Sequence, residues 1–205
     1  MKTYRAVIFD CGKVFLHDPD LEITLQDMAD SCQLSYELTK KVVNELLPDF
    51  QTGKSDEEEF WESFKEKAEL SELPDTYHGL WTRKYLEVSR VDYGVLSLVE
   101  ELQQLGYKTP VLSNTIPPHV RVNLKRNFFA LFEPKIFSCE VGCRKPEPEI
   151  YRLALERTGV AAAEAIFIDD VPRYVTAAQE VGIDSILFQN AQQLRRELEE
   201  RQVIS

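Results

Sequence analysis

The apolar run Ala6–Phe9 ends in a lone acid, Asp10, and Cys11, Gly12 and Lys13 follow it. A carboxylate at the end of a buried strand is costly unless something pairs with it. Later in the chain, Ser113, Asn114 and Thr115 follow the run KTPVL, Lys145 stands in VGCRKPEPEIY, and Asp169 and Asp170 close AIFIDD. Carboxylates brought together repel and raise one another's pKa. A hard divalent cation removes that conflict, and oxygen-only ligands suit Mg2+. Lys145 adds a fixed positive charge, and the hydroxyl and amide at 113 to 115 add hydrogen-bond donors. Metal, cation, donors and a carboxylate nucleophile together make a receptor for a phosphoryl group. At a single strand end, an ion-pair network balancing Lys145 and Arg144 would explain such residues as well. The same character at four strand ends together favours the phosphoryl site.

Those residues need strands to hold them. RAVIFD, KTPVLSN, KIFSCE, AIFIDD and DSILFQN are short and apolar on both faces, as strands of a buried parallel sheet are. GVLSLVEELQQLG, PEIYRLALERTG and RYVTAAQEVG lie between them as amphipathic helices, each closed by a glycine stop at Gly106, Gly159 or Gly182. Alternating strand and helix gives an α/β fold with a mostly parallel sheet, and ligands of such sheets bind beyond the carboxyl ends of the strands. Residues 17–91 break the rhythm. LEITLQDMADSCQL, SYELTKKVVNELLPDF, SDEEEFWESFKEKAEL and DTYHGLWTRKYLEVS all read as helices, with Ser55 and Glu58 as a capping box. Phe60, Trp61, Phe64 and Leu70 form a core-facing stripe. Phe50, Trp61, Trp81 and Tyr85 could contact a substrate, but most read as core of this insert, and His78 and His119 read as structural or exposed. The division expected is an α/β core at 1–16 and 92–205, with an inserted all-helical cap at 17–91.

Composition sets the limits. The 205 residues carry a net charge of −11 with 43% hydrophobic and 29% charged residues. A nucleic-acid binder would show basic clustering instead. No window approaches a membrane span, and MKTYRAVIFD does not resemble a signal peptide. Cys11, Cys32, Cys139 and Cys143 show no framework spacing, so reduced thiols and a cytoplasmic location are expected. A cysteine phosphatase needs an arginine six residues past its nucleophile, and that place holds His17, so Cys11 reads as packing.

FDCGKVF, LSNT, GCRKPEPEIY and FIDDVPRYVTAAQEVGI, in that order, resemble the four motifs of the haloacid dehalogenase superfamily of hydrolases. The insert resembles that superfamily's small helical cap. The resemblance implies a Rossmann-like core, a Mg2+ cofactor and hydrolysis of a small phosphorylated metabolite through a covalent aspartyl intermediate. Matched motif by motif, Asp10 is the nucleophile and Ser113 holds the phosphoryl oxygens, with Asn114 beside it on the substrate side. Lys145 steadies nucleophile and phosphate. Asp10, the Gly12 carbonyl, Asp169 and Asp170 hold the metal.

The sequence departs from the pattern where phosphatases of this group carry a second Asp as general acid and base. Here that residue is Gly12. General acid–base help is worth roughly 10²–10⁴-fold, so a substitute is needed for full activity. His17, Asp18 and Asp20 lie close enough along the chain to supply one. The FD-x-G-x-V form is similar to that of a glucose-1-phosphatase-like group, which points to a sugar phosphate as substrate. Tyr174 stands where many relatives carry Asn. Two other functions compete: a non-catalytic binding or regulatory protein on the same fold, and a metal-independent 2-haloacid dehalogenase.

Overall fold

The computed structural model describes residues 3–205; the first two residues of the expected core segment lie outside that range. Its strands are β1 (Ala6–Phe9), β2 (Leu16–His17), β3 (Arg90–Val91), β4 (Val111–Ser113), β5 (Lys135–Phe137), β6 (Ala165–Asp169) and β7 (Asp184–Leu187). Its α-helices are α1 (Leu21–Cys32), α2 (Tyr36–Gln51), α3 (Glu57–Lys67), α4 (Arg83–Val88), α5 (Tyr93–Gln104), α6 (Pro117–Lys125), α7 (Ser138–Val141), α8 (Pro148–Thr158), α9 (Pro172–Glu180) and α10 (Ala191–Glu200).

Five strands form one sheet in the order β5-β4-β1-β6-β7, and every neighbouring pair is parallel. The near-continuous apolar runs follow from this, because both faces are covered. Val7, Phe9, Val111, Ile166 and Ile168 turn to one face, against Val95, Leu98 and Leu102 of α5 and Leu194 and Leu198 of α10. Ile8, Leu112, Ile136 and Phe167 turn to the other, against Ile150, Tyr151 and Ala154 of α8 and Ala178 of α9. The central β1 has β4 on one side and β6 on the other, so the chain reverses direction of winding at β1. The crevice at such a reversal is where open α/β sheets bind ligands.

The insert is helical, with one addition that the sequence does not announce. His17 pairs antiparallel with Arg90, and Leu16 with Val91, so a two-residue ribbon ties its ends together. Its core is a separate apolar cluster including Phe50, Phe60, Trp61, Phe64 and Trp81. The capping box of α3 lies one residue later than its sequence signature suggests. Asp56, not Ser55, accepts from Glu59 N at 2.9 Å, and the Glu59 carboxylate accepts from Asp56 N at 3.0 Å. The short aspartate side chain caps as well as serine, so position decides between them. The stretch expected as one helix at 75 to 89 splits into a 3-10 turn at Tyr77–Gly79 and α4.

Two sets of contacts seat the cap on the core. At one, Trp81 O pairs with His119 Nε2 at 2.8 Å, Asn123 Nδ2 donates to the Tyr85 hydroxyl at 2.7 Å, and Arg126 Nη1 donates to Ser89 Oγ at 2.7 Å. At the other, Arg144 donates to Gln51 Oε1 at 2.8 Å, and Gly53 lies so close to the Cys139 carbonyl that a Cβ could not fit without movement. Ile116, from the loop after β4, is buried in the cap cluster. The crevice is thereby roofed.

Candidate active site

Asp10 leaves β1 with its N–H still bonded to Ile168 O at 2.9 Å, which fixes the carboxylate at the end of the sheet. The chain then closes on itself. Phe15 N and Leu16 N both donate to Cys11 O, at 2.9 and 2.8 Å, and Lys13 N donates to Leu16 O at 2.7 Å. Lys13 takes a left-handed φ of 58° in this loop. The fold-back carries Asp18 over Gly12: a Cβ on Gly12 would stand 3.0 Å from Asp18 Oδ2. A carboxylate from further along the chain thus occupies the space a side chain at position 12 would enter.

Lys145 sits at the centre. Its Nζ donates to Asp10 Oδ1 at 2.6 Å and to Asp169 Oδ2 at 2.6 Å. It is 1% exposed, too deep for an ammonium without partners. Burial opposes its charge, but the two carboxylates outweigh burial and hold Lys145 above its ordinary pKa. Burial pushes Asp10 upward, while Lys145 pulls it down and Asp169 pushes it up again. The lysine is gripped from behind. Asn114 Nδ2 donates to Lys145 O at 2.9 Å, and Lys145 N donates to Asn114 Oδ1 at 2.8 Å. The Tyr174 ring lies 5.1 Å and the Phe167 ring 5.5 Å from the ammonium, within cation–π range. Asn114 therefore meets the lysine backbone, and Tyr174 holds a cation that its sequence position gave no reason to expect.

Asp10, Asp169 and Asp170 each place a carboxylate oxygen within 4.8 Å of the others. Asp169 is fully buried, with Oδ1 accepting from Val171 N at 2.8 Å and Oδ2 from Lys145. Burial and then the charge of Asp169 raise the pKa of Asp170. One lysine against three clustered carboxylates leaves excess negative charge on hard oxygen donors. That donor set fits a divalent cation of the Mg2+ type. Asp10, Asp169 and Asp170 are the residues that would hold it; Gly12, whose carbonyl the motif match adds to the set, lines the same cavity.

Ser113, at the end of β4, is buried on the cavity floor near the Cys11 thiol. Burial first, then the charge of Asp10, raises that thiol well above its ordinary pKa, so it stays protonated. Thr115 N donates to Ser138 Oγ at 2.9 Å, which pins the loop after Ser113. The three acid candidates separate clearly. His17 is largely exposed and bonded to Asp92 at 3.1 Å. Asp20 is exposed and paired with Lys13 at 2.6 Å. Asp18 lines the cavity, its Oδ1 buried without a hydrogen-bond partner and its pKa raised by burial.

The cavity measures ≈ 370 Å³, bounded below by Asp10, Ser113, Lys145 and Asp170 and above by residues of the cap. Trp81, Tyr85 and His119 are on its wall. Sequence reasoning treats these as core or structural residues, since nothing in their spacing tells a wall from a core.

The comparisons with known proteins agree with this geometry. A "bifunctional epoxide hydrolase 2" of Sus scrofa is 30% identical over 121 residues, 57% of this chain but 22% of that protein. The chain thus spans about a fifth of the length of that relative. A "sesquiterpene phosphatase astK" of Aspergillus oryzae is 29% identical over 188 residues, 88% of both proteins. A "had family enzyme" of Bacteroides thetaiotaomicron, solved with magnesium and inorganic phosphate, superposes with a TM-score of 0.75 at 22% identity, covering 91% of this chain and 95% of that one. Residues 4–182 match the haloacid dehalogenase-like hydrolase family. That span takes in every strand end of the site, and the chain belongs to this family of hydrolases.

Proposed function

We propose that the chain is a Mg2+-dependent phosphatase that hydrolyses a small phosphate monoester through an aspartyl-phosphate on Asp10. The observation that carries this reading is the Lys145 bridge between Asp10 and Asp169, at 2.6 Å each, on the floor of a cavity that also presents Ser113 and Asp170. A divalent cation held there would offset the negative charge of phosphate against the acids. Lys145 fixes Asp10 and opposes the burial that raises its pKa to about 7; Asn114 and Tyr174 are positioning residues that act through Lys145. Ser113 offers a hydroxyl to a phosphoryl oxygen.

The chemistry runs in two steps. An oxygen of Asp10 forms a bond to phosphorus as the ester P–O bond breaks, and the departing alcohol takes a proton from Asp18. Asp18, now ionised, accepts a proton from water, whose oxygen attacks phosphorus; the Asp10–phosphorus bond breaks and inorganic phosphate leaves. Support for Asp18 comes from its place over Gly12 and from the burial that keeps its proton to higher pH than an ordinary carboxyl. The name of the Aspergillus relative supports a phosphatase as the reaction class.

The test is release of inorganic phosphate from p-nitrophenyl phosphate, with Mg2+ and with EDTA, by wild type and Asp10→Asn. Turnover should require the metal and fall at least about 10³-fold in the variant, as loss of a covalent nucleophile does. Undiminished activity in Asp10→Asn would refute the assignment, and halide release without metal would replace it with a dehalogenase.

A further inference from the structure

We propose that the alcohol half of the substrate is an uncharged alkyl or aromatic group rather than a sugar or a second anion. The proposal rests on the phosphatase reading and extends it to the part of the ester that the cap must recognise. Floor and wall of the cavity differ in chemistry. The floor is polar, whereas Leu21, Leu47, Trp81, Tyr85, Ile116 and His119 make most of the wall, with Thr24, Gln51, Thr115 and Asn123 also on it.

Most polar groups on that wall offer a ligand little: Trp81 Nε1 and Asn123 Oδ1 lack hydrogen-bond partners but are buried from solvent, and others are already engaged with protein. His119 Nε2 pairs with Trp81 O at 2.8 Å, and its ring stacks on Tyr85 with centroids 4.0 Å apart and planes 13° from parallel. The Tyr85 hydroxyl takes Asn123 Nδ2 at 2.7 Å, and Gln51 Oε1 takes Arg144 at 2.8 Å. A site that selects a polyhydroxyl ligand needs unengaged donors and acceptors aimed at it, because each unmatched hydroxyl loses its water without replacement. Flat aromatic and branched aliphatic surfaces instead gain from removing apolar ligand surface from water.

Charge points the same way. Among the described residues lining the cavity the lysines are Lys145, held by Asp10 and Asp169, and Lys13, paired with Asp20 at 2.6 Å; no arginine joins them. The other charged groups are acids, including Asp18, Asp20 and Asp170. Burial holds His119 neutral, its pKa lowered to about 4. A second phosphate or a carboxylate on the substrate would meet acids and no unpaired cation.

Benzyl phosphate, glucose 6-phosphate and 3-phosphoglycerate all leave as primary alcohols, so a panel of the three with Mg2+ isolates the wall. Expected is a kcat/KM for benzyl phosphate at least about tenfold above either of the others, the order of discrimination an apolar pocket gives. Leu47→Gln should cut the benzyl-to-glucose ratio by about tenfold. Calorimetry on the Asp10→Asn variant with benzylphosphonate and glucose 6-phosphate reads the preference without turnover. Equal or better binding of glucose 6-phosphate, or an unchanged ratio in Leu47→Gln, would overturn the proposal. Absence of turnover on every ester, with benzylphosphonate still bound about tenfold tighter, would overturn the phosphatase reading and support this one.

Discussion

At position 12 the chain carries no side chain, and the carboxylate of Asp18 stands where one would go. This changes what a repair at that site can achieve. Gly12→Asp would set two carboxylates within contact distance and displace Asp18. It should therefore lower turnover, although a second acid at that position would otherwise help. Asp18→Asn removes the proton donor and should slow alkyl phosphates by roughly 10²–10⁴-fold. An aryl phosphate with a good leaving group needs little protonation and should lose far less. Gly12→Asp placed on Asp18→Asn has room for its carboxylate and should recover part of the alkyl rate. A leaving-group series on the wild type and these three variants checks the set. Equal losses for aryl and alkyl esters in Asp18→Asn would show that Asp18 transfers no proton.

Among the elements, α4 and α6 carry the contact that matters most for the cavity. His119 stands between Trp81 and Tyr85 and is held neutral by burial, with its pKa near 4 against an ordinary value of 6.5. As pH falls, the unfolded chain takes up this proton first. The stability is intact above about pH 6.5 and declines towards pH 4, by about 2 kcal/mol between pH 7 and 5. Urea unfolding of wild type and His119→Gln across that range should show the difference between them shrinking by that amount at pH 5. The second seat of the cap, at the end of α2, depends on Gly53. Its φ of +67° and its approach to the Cys139 carbonyl both exclude a side chain. Gly53→Ala should cost about 1–3 kcal/mol and raise KM, because the roof over the phosphate site shifts with α2. Thermal denaturation and steady-state kinetics on the variant read both effects.

For the molecule as a whole, the site is a concentration of like charge that folding must tolerate. Three carboxylates cluster within the crevice, and the one buried lysine pairs with two of them. A cation that binds only the folded state stabilises it by mass action, about 2.7 kcal/mol at a hundred times Kd. For a chain of this size that is roughly a 5–10 °C rise in Tm. Asp170→Asn removes one charge from the cluster. The metal-free variant should melt above the metal-free wild type, and added Mg2+ should raise its Tm less. Scanning calorimetry with EDTA and with Mg2+ gives both comparisons; an equal Mg2+ response in the variant would exclude Asp170 as a ligand. No described helix is long and apolar enough to cross a membrane.

Much of this architecture is written in short-range sequence. Runs such as Ala6–Phe9 and residues 165–168 are apolar at every position because both faces of their strands are covered, and that alone implies a parallel sheet. Since the strands are parallel, the residues following them share one edge, so Asp10, Ser113, Asp169 and Asp170 could be grouped before any coordinates. What the sequence could not decide depended on contacts between residues far apart or on the path of a loop. Asp18 could be told from His17 and Asp20 only once the Cys11–Leu16 loop closed and turned one of the three inward. Asn114 and Tyr174 grip Lys145 across gaps of 31 and 29 residues, a relation with no local pattern. Leu47 of α2, Trp81 before α4 and Ile116 before α6 look like core residues in sequence, since an apolar side chain reads alike whether it meets another side chain or a ligand. Only the seating of the cap on the sheet made some of them a wall, because a cavity is defined by the packing of elements against each other and not by any one of them.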